Sequence, residues 1–302
     1  MCDFSHNTLI DKDIFTYLLD CQARNLSPNT TDIYQIELRL LAEYLSSCSV
    51  YDVAKITTEQ LRAYFTNLAT RRVPGGVHGA FRSTRAFLNW WEREFEPPPT
   101  WRNPISRLSA PRINTEPRAG IPMEDVRKLL LTCEKTLVGQ RDRAIILTLL
   151  DTGLRKSEFV SLMMGDIDLP TGIIHLPRGK GGKSRVVFVG LAARKEIMKY
   201  LRKRKAFDLN SPLWINKDNQ TLTPAGLRQM IRRRSQIAGI KDPALHSFRR
   251  TFAIQCLRNG MDLVTLARLM GHANVSILQR YLKLVEDDLA AAHASKGPVD
   301  HL

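Results

Sequence analysis

The chain is short of the features that mark secreted, membrane-bound or metal-built proteins. It has five cysteines, Cys2, Cys21, Cys48, Cys133 and Cys256, which are widely spaced, odd in number and without a CxxC pair. That argues against a disulfide framework or a zinc site and for a reducing compartment, so a cytoplasmic location is expected. Long apolar runs are missing as well: the opening MCDFSHNTLIDKD has no signal core, and the longest strongly apolar run, IILTLL from Ile145, is too short to cross a bilayer. No membrane partner is expected. No acidic cluster suits a two-metal nuclease, and no metal or other cofactor is called for. Neither an internal repeat nor a low-complexity segment is found. Acidic residues are the minority, with 30 Asp+Glu against 45 Lys+Arg and a formal charge of +15. That surplus is the footprint of a partner carrying many phosphates, although charge alone leaves anionic membranes and simple solubility open.

A nucleotide-binding loop is absent too, despite the GGKS within RGKGGKSR at Arg178–Arg185. A phosphate-cradling loop needs glycine five positions before its Gly-Lys-Ser and a helix after it; here the earlier position is Pro177 and the following residues are VVFV. With GIIHLP on the other side, the segment predicts a β-hairpin with Lys180 at its tip or on the adjoining strand.

Its 302 residues, 43% of them hydrophobic, suffice for two domains with real cores. Residues 1–109 predict a four-helix domain: DKDIFTYLLDCQARN, SPNTTDIYQIELRLLAEYLSS, TTEQLRAYFTNLATR and HGAFRSTRAFLNWWEREF each space apolar residues three and four apart. Ser27-Pro28 is a helix start, and Thr57 with Gln60 fits a capping box. Residues 110–122, APRINTEPRAGIP, read as a proline-stiffened linker. Residues 123–302 predict a mainly helical domain with a small sheet. The fold class expected is thus mainly α, a helical N-terminal domain followed by a mixed α+β domain with a small antiparallel sheet.

Several pairs of residues have a dull and a chemical reading. Arg155 and Glu158 share one helix face, as a common surface ion pair does. His246 and Arg249 in LHSFRRTF are also one turn apart, with Arg250 next to them. Tyr281 alone reads as a half-buried helix tyrosine. Arg82 and Arg85 in the fourth helix, beside Phe87, Trp90 and Trp91, could grip a DNA backbone or simply be solvated arginines over core aromatics.

TGLRKSE, the hairpin GKG, HSFR, and MGH followed nine residues later by tyrosine occur in the order and spacing of the tyrosine recombinase (phage integrase) family, which the chain resembles over nearly its whole length. SPNTTDIYQIELRLLAEYL resembles the first long helix of the family's core-binding domain, and NPISRL the segment leading out of it. The resemblance implies Arg155 and Arg249 as paired phosphate-binding arginines, Glu158 as support for the first, Lys180 as the hairpin lysine, His246 and His272 as the two histidines, and Tyr281 as the nucleophile. Lys183, Arg185, Arg250, Arg82 and Arg85 are further candidate DNA contacts. One departure is visible, Leu245 where proline often precedes the first histidine; MGH in place of the commoner LGH is a like-for-like apolar change. The implied activity is site-specific DNA recombination through a 3′-phosphotyrosyl intermediate, on double-stranded DNA carrying short inverted-repeat core sites, by a tetramer joined through its C-terminal tail. A type IB topoisomerase, which uses much the same residues, and a catalytically silent DNA-binding regulator are the alternatives.

Overall fold

The computed structural model describes residues 8–112, 119–176, 184–204, 208–271, 276–282 and 299. The chain divides into two compact units, 1–115 and 116–302.

The first unit is built from α1 (Leu9–Ala23), α2 (Pro28–Ser47), α3 (Thr58–Ala69) and α4 (Pro74–Phe95). Their starts follow from local chemistry. The Ser27 hydroxyl accepts from the Thr30 amide with Pro28 at the first helical position, and Thr57 with Gln60 forms the reciprocal capping box. The apolar stripes meet in one core that includes Ile14, Leu38, Leu41, Leu45, Leu61, Phe87 and Leu88, all fully buried. Trp90 and Trp91 belong to that core too, and the Trp91 indole donates to the Asp13 carboxylate at 2.7 Å. Burial, opposed by that hydrogen bond, raises the Asp13 pKa. The aromatic stripe of α4 is therefore packing, with Arg82 and Arg85 exposed along the same helix.

The second unit contains α5 (Met123–Leu131), α6 (Leu137–Thr152), α7 (Lys156–Val160), β1 (Ile167–Asp168), β2 (Ile173–Leu176), β3 (Arg185–Phe188), α8 (Leu191–Arg204), α9 (Pro224–Ile237), α10 (Leu245–Arg258), α11 (Leu263–Met270) and α12 (Ser276–Leu282). The three strands form an antiparallel sheet in the order β1-β2-β3, with Ile174 opposite Val187 and Leu176 opposite Arg185. These are the two strands the sequence places on either side of RGKGGKSR; the intervening tip lies outside the described residues. The main core stacks Phe159 on Trp214 at 5.2 Å and Tyr200 on Trp214 at 5.9 Å. A smaller cluster joins Phe252, Ala253, Leu266, Ala267, Met270 and Leu278 from α10, α11 and α12.

The last residues of the stretch read as linker are part of this second unit. Ile121 is buried, and its amide donates to the Thr251 hydroxyl of α10 at 2.6 Å. Gly120 presses on the same threonine, where an added Cβ would come within 2.5 Å of the hydroxyl oxygen.

Candidate active site

Two turns in the second unit set the site. The first ends α6 at Gly153, whose φ of +58° and contact with the Phe252 ring leave no room for a side chain. The chain then reverses so that Arg155 caps α7 and Glu158 folds back beneath it. The Glu158 carboxylate accepts from the Arg155 amide at 2.9 Å and from Arg155 Nη1 at 2.8 Å. It also receives a bidentate fork from Arg185 on β3, at 2.8 and 2.7 Å. Burial opposes ionisation of Glu158, but the Arg185 fork and the two Arg155 donors prevail and hold its pKa at about 2.

The second turn ends α11 at Gly271, with φ +63°. Three successive carbonyls there are taken by three arginines. Arg185 Nε points at Leu269 O at 3.4 Å, Arg249 Nη2 donates to Met270 O at 2.6 Å, and Arg155 Nη2 donates to Gly271 O at 2.8 Å. Arg249 also donates to Gly153 O, so it ties the ends of α6 and α11 together. Cations at helix C-termini are favoured, because the exposed carbonyls there carry partial negative charge. Arg249 is only 3% exposed. Burial first, and the charge of Arg155 next, push its pKa down to about 10, which still leaves it protonated at neutral pH.

His246 sits in the first turn of α10, one turn before Arg249, with its residue open to solvent. Partial desolvation by the protein beneath it, then Arg250, Arg249 and Arg155, lower its pKa, so the imidazole is neutral at pH 7 and able to accept a proton. Tyr281, on α12, packs against the Phe252–Leu278 cluster and lies within charge-interaction range of Arg249. A groove of about 780 Å³ is lined by Arg155, Lys156, Arg228, His246 and Arg249 among others. The arrangement brings Arg155, Arg228, Arg249 and a neutral imidazole to one concavity.

Lys180, Lys183 and His272 lie outside the described residues. Arg250 donates to the Ser247 hydroxyl at 2.7 Å. Arg85 is 5.8 Å from the Phe81 ring centroid. Arg185, a candidate DNA contact in the sequence, is engaged with Glu158 and with the Leu269 carbonyl of α11. The sequence also gave no notice of Asp142, a fully buried carboxylate on α6 that receives Arg141 at 2.7 Å, Arg234 at 2.7 Å and Arg233 at 3.3 Å. The one signal was the charged triplet RDR at the head of an otherwise apolar helix. Its role is to brace α6 against α9. Among the described residues, no group of His, Cys, Asp or Glu side chains is placed to hold a metal ion, and no helix is long and apolar enough to cross a membrane.

The sequence and fold can be set beside those of known proteins. The phage integrase family model matches residues 121–287. Tyrosine recombinase XerC of Pelobacter propionicus is 30% identical over 282 residues, covering 91% of each chain. Tyrosine recombinase XerD of Listeria monocytogenes serotype 4b is 30% identical over 273 residues, covering 85% of this chain and 89% of its own. The crystal structure of XerA recombinase covers 96% of this chain and 99% of its own, with 25% identity and a TM-score of 0.54. XerH bound to a palindromic difH substrate has the same fold, with a TM-score of 0.74 at 20% identity, covering 96% of this chain and 90% of its own. The chain belongs to the phage integrase family, among its Xer-like tyrosine recombinases.

Proposed function

We propose that this chain is a site-specific DNA recombinase that cuts a strand by forming a 3′-phosphotyrosyl bond, exchanges it between two bound sites and rejoins it. The observation that carries the reading is the convergence of Arg155, His246 and Arg249 on one groove, with the helix bearing Tyr281 packed beside α10 and α11. The Xer recombinases similar to it support the same reading.

In this scheme the Tyr281 oxygen attacks the scissile phosphorus and the bond to the 5′-oxygen breaks. Ionising a phenol of pKa near ~10 at neutral pH costs about 4 kcal/mol, so a base must take the proton, and neutral His246 is that base. Negative charge accumulates on the two non-bridging oxygens, where Arg155 and Arg249 offer planar donors that a lysine cannot imitate. His272 adds one hydrogen bond to the same oxygens. Lys180 donates a proton to the departing 5′-oxygen, a far poorer leaving group than phenolate. Religation runs the steps in reverse, with the phosphotyrosine conserving the bond energy. The scheme uses no metal or cofactor.

The DNA partner is a duplex with short inverted-repeat core sites, bound in the cytoplasm by a tetramer whose protomers are joined through the segment after residue 283. Apart from Val299 that segment lies outside the described residues; its alanines at 290–292 are a short apolar helix signal with little core of its own to join. The test is recovery of recombinant product from two copies of a site selected from random DNA. Relaxation of any supercoiled plasmid by a monomer would mark a topoisomerase instead, and tight binding with no covalent adduct would mark a silent regulator.

A further inference from the structure

Resting on the reading above, we propose that Arg185 is a positioning residue that aims Arg155 through Glu158 and does not itself contact DNA. Its guanidinium is occupied: Nη1 and Nη2 hold the two oxygens of Glu158, and Nε faces the carbonyl of Leu269. The side chain is 13% exposed and its carboxylate partner 7%. A phosphate could take this fork only by stripping it from a buried anion.

What the fork does is fix the atom on which Arg155 rests. Glu158 Oε1 accepts from both Arg155 Nη1 and Arg185 Nη1, each at 2.8 Å. The other nitrogen of Arg155, Nη2, is held by Gly271 O, and the Gly271 backbone lies against Arg185 so closely that a Cβ there would fall 2.9 Å from its Nε. Both anchors of the Arg155 guanidinium are thus located by the same side chain. Arg185 is also the first residue of β3, opposite Leu176, and Lys180 precedes it by five residues in the sequence. The strand after the proposed proton donor is in this way tied to the proposed phosphate clamp. A lysine keeps the charge but has one nitrogen where three are used.

The full-length wild type is compared with Arg185→Lys, Arg185→Ala, Glu158→Gln and the Arg185→Lys/Glu158→Gln pair. Binding is measured against salt, thermal unfolding is recorded, and covalent cleavage is timed in a single turnover at saturating protein, well below the melting temperature. Misplacing a charge clamp by about 1 Å slows such a step about a hundredfold. The expected result is a loss of that order in Arg185→Lys with unchanged affinity and salt slope, and no further loss when Glu158→Gln is added. A salt slope smaller by about one would make Arg185 a phosphate contact and overturn the inference. So would multiplying defects in the double variant, or a lower melting temperature with normal cleavage, which would leave only a stabilising role. If Arg185→Ala does not fold, Arg185→Lys carries the test. Failure of the wild type to form any adduct would instead refute the recombinase reading.

Discussion

Replacing Arg249 by lysine separates charge from geometry at the more buried of the two proposed phosphate-binding arginines. Arg249 is 3% exposed and spans two helix ends, donating to Gly153 O and to Met270 O. A lysine has one nitrogen to reach both carbonyls and the phosphate oxygens. Loss of a single well-placed donor to a developing oxyanion costs about 3–4 kcal/mol in the transition state, a rate loss of roughly 10²–10³. The surroundings add a second signature. Burial and Arg155 push Arg249 down to about 10. A lysine in the same place, ordinarily near ~10.4, is pushed down by the same burial and the same neighbouring charge. The variant then loses its positive charge at a lower pH than an ordinary lysine, while arginine stays charged. Single-turnover cleavage of a nicked DNA substrate at saturating protein, from pH 6.5 to 9, reads both effects. The expected variant is slower throughout and falls further towards the alkaline end of that range. Near-normal rates would mean that Arg249 acts only by distant charge, and a slow but pH-flat profile would refute the argued burial of the site.

Three more outcomes follow from the same geometry. Glu158 ionises at about 2 instead of its ordinary 4.5, so it binds its proton more readily in the unfolded chain. It therefore contributes about 3 kcal/mol of stability that is present above pH ~4.5 and lost as pH falls towards 2; Glu158→Gln should flatten that part of the urea-unfolding profile, and an unchanged profile would remove Glu158 as its source. Lys180→Ala should cleave ordinary DNA slowly yet recover most of its rate on a substrate with sulfur as the bridging 5′ atom, whose departure needs no proton; equal defects on both substrates would sink the general-acid role. Deleting residues 284–302 should weaken pairing of two sites more than binding to one, and normal recombination by the truncated chain would show that the tail is not the joint.

Much of the scaffold was legible because it is written locally. Ser27-Pro28 and the Thr57–Gln60 box each act within a few residues of themselves, so their sequence context is their whole physical context. The strands around RGKGGKSR were equally plain, since β-branched runs on both sides of glycines have few other options. Glu158 was visible as a helical neighbour of Arg155. What the sequence did not show is that Arg185, 27 residues from Glu158, completes the carboxylate's shell. That meeting depends on the register of β2 with β3 and on where α11 ends, both products of tertiary packing. The same limit applies to Trp90 and Trp91, whose stripe suits a nucleic-acid face or a core until the neighbouring helices are in place. Asp142 is the extreme case, a carboxylate buried only because arginines from α6 and α9 close over it.

The central claim is that Tyr281 becomes joined to DNA. Wild-type protein should be incubated with a duplex nicked just beyond the scissile phosphate, so that a short fragment diffuses away and religation is blocked. The adduct is then digested and the modified peptide sequenced by mass spectrometry. The account predicts a 3′-phosphonucleotide on Tyr281, and a Tyr281→Phe variant that binds the same DNA with unchanged affinity but yields no adduct. An adduct on another residue such as Tyr200 or Tyr64, or one that persists in Tyr281→Phe, would contradict it.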